Sequence, residues 1–290
     1  MKKIEASVFS HLSIIQLLQG KQVTKSKMSA VGNSTPLDVS RFEELVEHIA
    51  KIHNYNNQYC LFYRGQDKEH RIGTLTTVFP KIYRNHINHT VLTNRFTVLE
   101  SLTKKLLTIL QGHHQISKII GLKRLKKYRE LAWSILQHYE ICPTPVLDIT
   151  LSVRVAASFA LIKDRNTQRD EGILYVLAFP HIKENISFHV EEELFNIKLL
   201  SVCPPEAKRP FYQEGFGAGT FPRYDSTSNI SKFDFRHRLI AKFKLINDDN
   251  MFFGRGFDII PYDSLYPNKQ DSFYELLQTL RDDPEVKDLL

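Results

Sequence analysis

Gln137-His138-Tyr139-Glu140-Ile141-Cys142-Pro143-Thr144-Pro145-Val146-Leu147-Asp148-Ile149-Thr150 is the most informative run in the chain. Cys142-Pro143-Thr144-Pro145 cannot be helical, because each proline ring pushes the residue before it into an extended conformation. Val146 to Thr150 then reads as a short strand. Leu151 to Ile162, rich in Ala and Val, reads as a buried helix, with Asp148 and Thr150 just ahead of it, where side-chain oxygens cap free N–H groups. A turn, a strand and a helix follow one another within 26 residues, so the fold contains both kinds of element.

Upstream, Leu92, Phe96, Leu99, Leu102, Leu106 and Leu110 form one helical stripe. Ile116, Ile119, Ile120, Leu125, Leu131 and Ile135 form a second, beyond Gly112 and two histidines. Tyr59 to Tyr63 is an aromatic, apolar strand that delivers Arg64-Gly65-Gln66 at its end. Ser40 and Glu43 are spaced as a capping box, in which each side chain satisfies the other's backbone N–H; Phe42, Leu45, Val46, Ile49 and Ile52 follow at helical spacing. Residues 1–35 are polar with scattered glycines and are expected to form a weakly ordered arm. Downstream, Gly172 to Phe179 is the clearest central strand, and Leu199–Cys203, Leu239–Leu245 and Phe257–Ile260 are further candidates. Gly215-Phe216-Gly217-Ala218-Gly219 reads as a glycine-rich loop, and Asp271 as the cap of a last helix. Helices cluster in the first half and strands later, so the class is α+β, with a main domain over 36–290 and a helical insertion at about 90–138.

The composition narrows the function classes. With 290 residues, 42% hydrophobic and 24% charged, the chain has the make-up of a globular protein. No run approaches the ~18 apolar residues of a membrane span, and no signal peptide is read at its start. No membrane partner is expected, and the cytoplasm is the natural compartment. Cys60, Cys142 and Cys203 stand far apart, without the spacing of a zinc site or a disulfide framework. His86/His89 and His113/His114 lack partners at ligand spacing, so no metal is expected. A phosphate-binding P-loop, an HExxH helix and a GxSxG elbow are all absent. The net charge of +7 is concentrated: Lys104, Lys105, Lys118, Lys123, Arg124, Lys126, Lys127 and Arg129 run without an intervening Asp or Glu. That stretch is either a solvated helix face or a nucleic-acid-binding surface, with Lys118, Lys123, Arg124, Lys126, Lys127 and Arg129 as its contacts.

Four stretches together resemble the FRG domain family. Phe62-Tyr63-Arg64-Gly65-Gln66 resembles the motif that names the family. Residues 137–150 resemble its QHYG-x-PT-x-LLD-x-T block, with Glu140 at the usual glycine, and run on into Ala156-Ala157-Ser158-Phe159-Ala160. Arg209 to Phe216 and Tyr262 to Pro267 are similar to two later segments. The pattern in turn is similar to ADP-ribosyltransferases, which implies a split β-sheet core, NAD as co-substrate, and transfer of ADP-ribose to a macromolecule. Arg64, Gly65, Gln66, Asp148, Thr150 and Gln213 would then bind NAD, and Glu214, His138 and Tyr139 would serve catalysis. The resemblance also implies a toxin of a bacterial toxin–antitoxin or phage-defence system, with an antitoxin or chaperone as a further partner.

The residue types suit that chemistry. A guanidinium presents parallel donors that match phosphate oxygens, and a glycine beside it lets the backbone come close to a ligand; a structural ion pair is the other role for Arg64. A carboxylate stabilises an oxocarbenium-like state and accepts a proton from the acceptor; Glu214 is either that group or an exposed loop carboxylate. His138 and Tyr139 are either ligand contacts or a turn-fixing pair with a core tyrosine. The leading expectation is ADP-ribosylation, nucleic acid being the favoured acceptor and protein the second. The alternatives are a non-catalytic nucleotide- or RNA-binding module and an NAD hydrolase.

Overall fold

A computed structural model describes residues 1–85, 88–112, 122–204, 207–222, 230–254, 256–266, 271–282 and 284. In chain order the elements are α1 (His11–Leu18), α2 (Met28–Asn33), β1 (Leu37–Val39), α3 (Phe42–Tyr55), β2 (Cys60–Gln66), β3 (Arg71–Ile72) and β4 (Leu75–Thr76). Three helices follow, α4 (His89–Gly112), α5 (Leu122–Lys127) and α6 (Arg129–His138). Then come β5 (Leu147–Thr150), α7 (Val153–Leu161), β6 (Glu171–Phe179), β7 (Ile186–His189), β8 (Leu194–Lys198), α8 (Lys208–Tyr212) and β9 (Gly215–Thr220). β10 (Leu239–Ile246), α9 (Tyr262–Leu265) and α10 (Ser272–Arg281) complete the chain. The class is mixed α+β, and no described helix is long and apolar enough to cross a membrane.

Eight strands form one sheet in the order β1-β10-β6-β2-β5-β9-β8-β7. All neighbours are antiparallel except β1 and β10. β6 is buried from Gly172 to Phe179, as its unbroken apolar run requires of a strand covered on both faces. The sheet narrows at one place. β2 pairs with β6 over seven residues, from Cys60↔Phe179 to Gln66↔Ile173, but meets β5 only at Tyr63↔Thr150. Past that single pair β2 and β5 diverge, and Arg64 stands at the divergence.

Helix α7 covers the junction closely. A Cβ on Gly65 would lie 1.8 Å from the Ala156 carbonyl oxygen, so the strand and helix backbones touch where that side chain would be. Two large apolar clusters result, with a small third at Val155, Ile162 and Leu265. One surrounds β1, β10, β6 and β2 and takes in α3 and α7; the other surrounds β8 and takes in α4, α6 and α10, with Trp133 and Tyr139 fully buried.

Five expectations need correction. Residues 1–35 are not a weakly ordered arm: Met1, Ile4, Val8, Phe9, Ile14, Met28 and Val31 are buried in the first cluster. These apolar residues are single anchors spread among polar ones, so they leave no periodic signal. The Ser40/Glu43 capping box does not form, because α3 begins after Arg41 without a side-chain cap, and the Phe42 N–H donates to the Phe252 carbonyl at 2.8 Å. Gly215–Gly219 is not a loop but part of β9, a buried strand. Its glycines admit close neighbours, a Cβ on Gly217 falling 2.6 Å from Ser134 Oγ of α6. Finally, Leu199–Ser201 is a 3-10 turn and Phe257–Ile260 forms no strand.

Candidate functional site

Where β2 and β5 part, a cleft of about 360 Å³ opens. β2 contributes Tyr63, Arg64 and Gly65, and β5 contributes Asp148, Ile149 and Thr150. Gln137 comes from the end of α6, Ala156 and Phe159 from α7, and Arg209 from α8, with Gln213 just beyond it. Lys81, Arg84, Glu140 and Tyr266 complete the wall. Phe159 and Tyr266 meet edge to face at 5.6 Å, giving one side an aromatic surface.

Arg64 is held rather than neutralised. Its Nη1 donates to the Asp148 carbonyl at 2.6 Å and its Nε to Gln66 Oε1 at 3.3 Å. Burial draws its pKa below the ordinary arginine value, and Asp148 then Tyr175 offset part of that. Arg84, on the same wall, is drawn down to about 10, first by burial and next by the charge of Arg64, with Asp148 offsetting part of that. Two guanidinium groups are therefore close enough to repel each other, an arrangement that an anion between them relieves. Arg209 adds a third. It is only 5% exposed; its Nη2 donates to Glu140 Oε1 at 3.0 Å, while its Nε and Nη1 are buried with no hydrogen-bond partner.

Behind this surface lies a polar chain. Gln137 Nε2 donates to Asp148 Oδ2 at 2.8 Å, and Thr144 Oγ1 donates to Gln137 Oε1 at 2.8 Å. His138 Nδ1 stands 3.6 Å from Asp148 Oδ1. Burial pushes Asp148 upward, yet His138, Gln137 and Arg64 outweigh it and hold the carboxyl below its usual range. Burial lowers His138, so its imidazole is neutral near pH 7. The chain fixes the strand-end geometry that presents the Asp148 carbonyl to Arg64.

The expected site residues therefore divide. Arg64, Gly65, Asp148, Thr150 and Gln213 line the cleft. Gln66 lies on the neighbouring groove and steadies Arg64. Thr150 Oγ1 donates to the Gln213 carbonyl at 2.8 Å, and the helix cap is Ser152 instead. His138 is fully buried behind Asp148 and is not among the cleft-lining residues. Tyr139 belongs to the second apolar cluster, where its hydroxyl donates to Asp271 Oδ2 at 3.0 Å. Asp271 in turn caps α10 by accepting from the Phe273 and Tyr274 N–H groups. Glu214 is exposed, at φ 45°, outside the cleft lining.

The carboxylate in the cleft that sequence reasoning passed over is Glu140, half-exposed with its backbone at φ 56°. A non-glycine residue pays conformational strain there. Arg209 was visible in the Arg209–Phe216 segment, whereas nothing in the spacing of Pro80-Lys81-Ile82-Tyr83-Arg84 announces Lys81 and Arg84. Of the basic stretch, Lys118 and the side chain of Lys123 lie outside the described residues. Arg124, Lys126, Lys127 and Arg129 are exposed, and Arg129 pairs with Glu100 at 3.1 Å.

Fold and site together define a mixed α+β protein with a cleft rich in arginine where its main sheet narrows. Within that class the sequence is more specific: residues 60–169 match the family model of the FRG domain. The matched stretch includes Arg64, Glu140 and Asp148. No curated protein and no solved structure matches the chain.

Proposed function

We propose that this chain transfers ADP-ribose from NAD to a macromolecular acceptor, nucleic acid being favoured, in an ADP-ribosyltransferase-like core whose sheet divides between β2 and β5. The observation that carries this reading is the Arg64–Arg84 pair on the wall of one cleft, each guanidinium lacking a carboxylate within 4 Å among the described residues. A diphosphate supplies the two negative charges that such a pair requires. Arg209 offers two further buried donors, and the Phe159–Tyr266 surface suits a flat nicotinamide ring.

In the reaction, the bond between ribose C1′ and the nicotinamide nitrogen breaks, and its electron pair leaves with neutral nicotinamide. The positive charge left on the ribose is stabilised by a carboxylate. Glu140, steered by Arg209, takes the role expected of Glu214. The acceptor's nucleophile then bonds to C1′ and gives its proton to the same carboxylate. A non-catalytic nucleotide-binding module is the second reading, favoured by the burial of His138 and the hydrogen bonding of Asp148.

Incubation with radiolabelled NAD and cell extract, followed by nuclease or protease digestion, separates these readings. Transfer gives polymer-bound label that digestion releases, and Arg64→Ala abolishes it with the circular dichroism spectrum intact. Glu140→Gln leaves NAD bound but slows nicotinamide release by about 10²–10³-fold. Free ADP-ribose as sole product means hydrolysis. Bound but unconsumed NAD would return the cleft to a sensing role, and full labelling by Arg64→Ala would overturn the proposal.

A further inference from the structure

A second groove, of about 660 Å³, adjoins the cleft and shares Lys81 and Arg84 with it. Beyond that shared wall it is lined by Arg95, His70, Phe79 and Tyr83, and no Asp or Glu is among its described lining residues. Arg95 Nη1 donates to the Ile82 and Arg84 carbonyls at 2.7 and 3.0 Å, and Arg84 Nε donates to the Phe79 carbonyl at 2.8 Å. The cations are thus fixed in place by the backbone of one short turn, while His70 and Lys81 are exposed at its mouth. Burial lowers the His70 pKa, with Arg84 adding to the shift; it offers a neutral ring rather than a charge.

We infer that this groove holds the acceptor: a single-stranded nucleic acid whose phosphates lie along Lys81, Arg84 and Arg95 and whose end passes over the shared wall into the cleft. This deepens the proposed function and rests on it for the chemistry, though strand binding itself needs no NAD. Two arguments favour a nucleic acid strand over the adenosine half of the dinucleotide. Cations without a compensating carboxylate suit a repeating anion better than a neutral nucleoside, and the half-buried Phe79 and exposed His70 rings beside those cations are the combination that tracks single strands, Tyr83 being buried against Phe233. Position argues the same way against the basic stretch expected from the sequence. Arg129 and Gln137 lie at opposite ends of α6, about 12 Å apart along the axis at 1.5 Å per residue. The groove shares Lys81 and Arg84 with the cleft, whereas none of Arg124, Lys126, Lys127 and Arg129 lines either.

The test is fluorescence anisotropy with a labelled 12-nucleotide RNA, without NAD, across a salt series. Three phosphate contacts give a slope of log K against log salt of about −2, and Lys81→Ala lessens it by about 0.7. His70→Glu, at an exposed side chain, places a carboxylate at the groove mouth and weakens binding about tenfold, equivalent to about 1.4 kcal/mol. Absence of RNA binding overturns the inference. So does full displacement of the RNA by ADP-ribose, which would give the groove to the adenosine half. Loss of binding in a Lys126→Glu, Lys127→Glu double variant but not in His70→Glu would place the strand on α5 instead. Because nicotinamide release is measured separately, failure of the transferase reading and failure of this groove give different results.

Discussion

At Gly65 the missing side chain matters more than any freedom of its backbone. The Ala156 carbonyl oxygen occupies the space a Cβ would take, at 1.8 Å, and the Ala160 nitrogen lies 2.8 Å from the same point. Both are backbone atoms of α7, so relief requires moving the helix rather than rotating a side chain. Gly65→Ala is therefore expected to cost at least about 3 kcal/mol, at the upper end for overpacked cores, read as a fall in the denaturant midpoint. A loss under about 1 kcal/mol would mean that α7 is free to shift. Tyr139 makes a milder case: Tyr139→Phe keeps the ring against Phe273 and removes only the bond to Asp271. The expected loss is about 1 kcal/mol, again in the unfolding midpoint; a neutral result would show that Asp271 is satisfied by the Arg209, Phe273 and Tyr274 N–H groups. These two residues illustrate what the sequence conveyed at this scale. Arg64, Asp148 and Gln213 were identifiable from their types and neighbours. The direction of the missing Gly65 Cβ, and the choice of His138 and Tyr139 for the interior, depend on elements that pack from far along the chain.

Among the elements, the strongest signals were long and uniform: β6, β10 and α10 fall where apolar runs or periodicity place them. Short elements with mixed composition were not legible, and residues 1–35 are the extreme instance. Their attachment is polar as well as apolar. His11 Nε2 donates to the Thr35 carbonyl at 3.1 Å, and its Nδ1 accepts from the Lys242 N–H of β10 at 3.3 Å. Lys242 Nζ donates to the Ser34 carbonyl at 2.5 Å and to Glu69 at 2.8 Å. No spacing rule connects His11 with Lys242 across 231 positions, so such a clip is invisible in one dimension. It has a measurable consequence. Burial, then the charge of Lys242, lowers His11 from 6.5 to about 4, against smaller raising effects of Thr35 and Glu69. Above pH 6.5 the imidazole is neutral in both folded and unfolded chains. Between 6.5 and 4 the unfolded chain takes up a proton that the folded chain refuses, so stability falls as the pH is lowered. The loss approaches about 3 kcal/mol by pH 4. Denaturant titrations at pH 7.5, 5.5 and 4.5 measure it, and His11→Gln is expected to flatten the dependence over that window. An unchanged slope in that variant would assign the effect to other groups.

For the molecule as a whole, the cleft draws its wall from elements of both large apolar clusters. Arg64 belongs to a strand anchored in the cluster around β6 and β10, while Gln137 and Glu140 flank Tyr139 of the cluster around β8. The strand pairing between β2 and β5 is one residue pair, supplemented by the Arg64 bond to the Asp148 carbonyl and by Leu147 and Ile149, which pack in the same cluster as β2. A ligand in the cleft contacts β2, β5, α7 and α8 at once, so its binding energy appears as resistance to unfolding of the native state. At one hundred times its dissociation constant, NAD is expected to stabilise the native state by about 2.7 kcal/mol. For 290 residues that raises the thermal midpoint by about 4 °C. Arg64→Ala should lose this rise while keeping the midpoint of the ligand-free protein within a few degrees, because its deletion removes two hydrogen bonds at a partly open site rather than core packing. Calorimetry with and without NAD provides the measurement. Equal shifts in both proteins would place the dinucleotide away from the β2–β5 junction, and a single transition in each would show that the two clusters unfold as one cooperative unit across it.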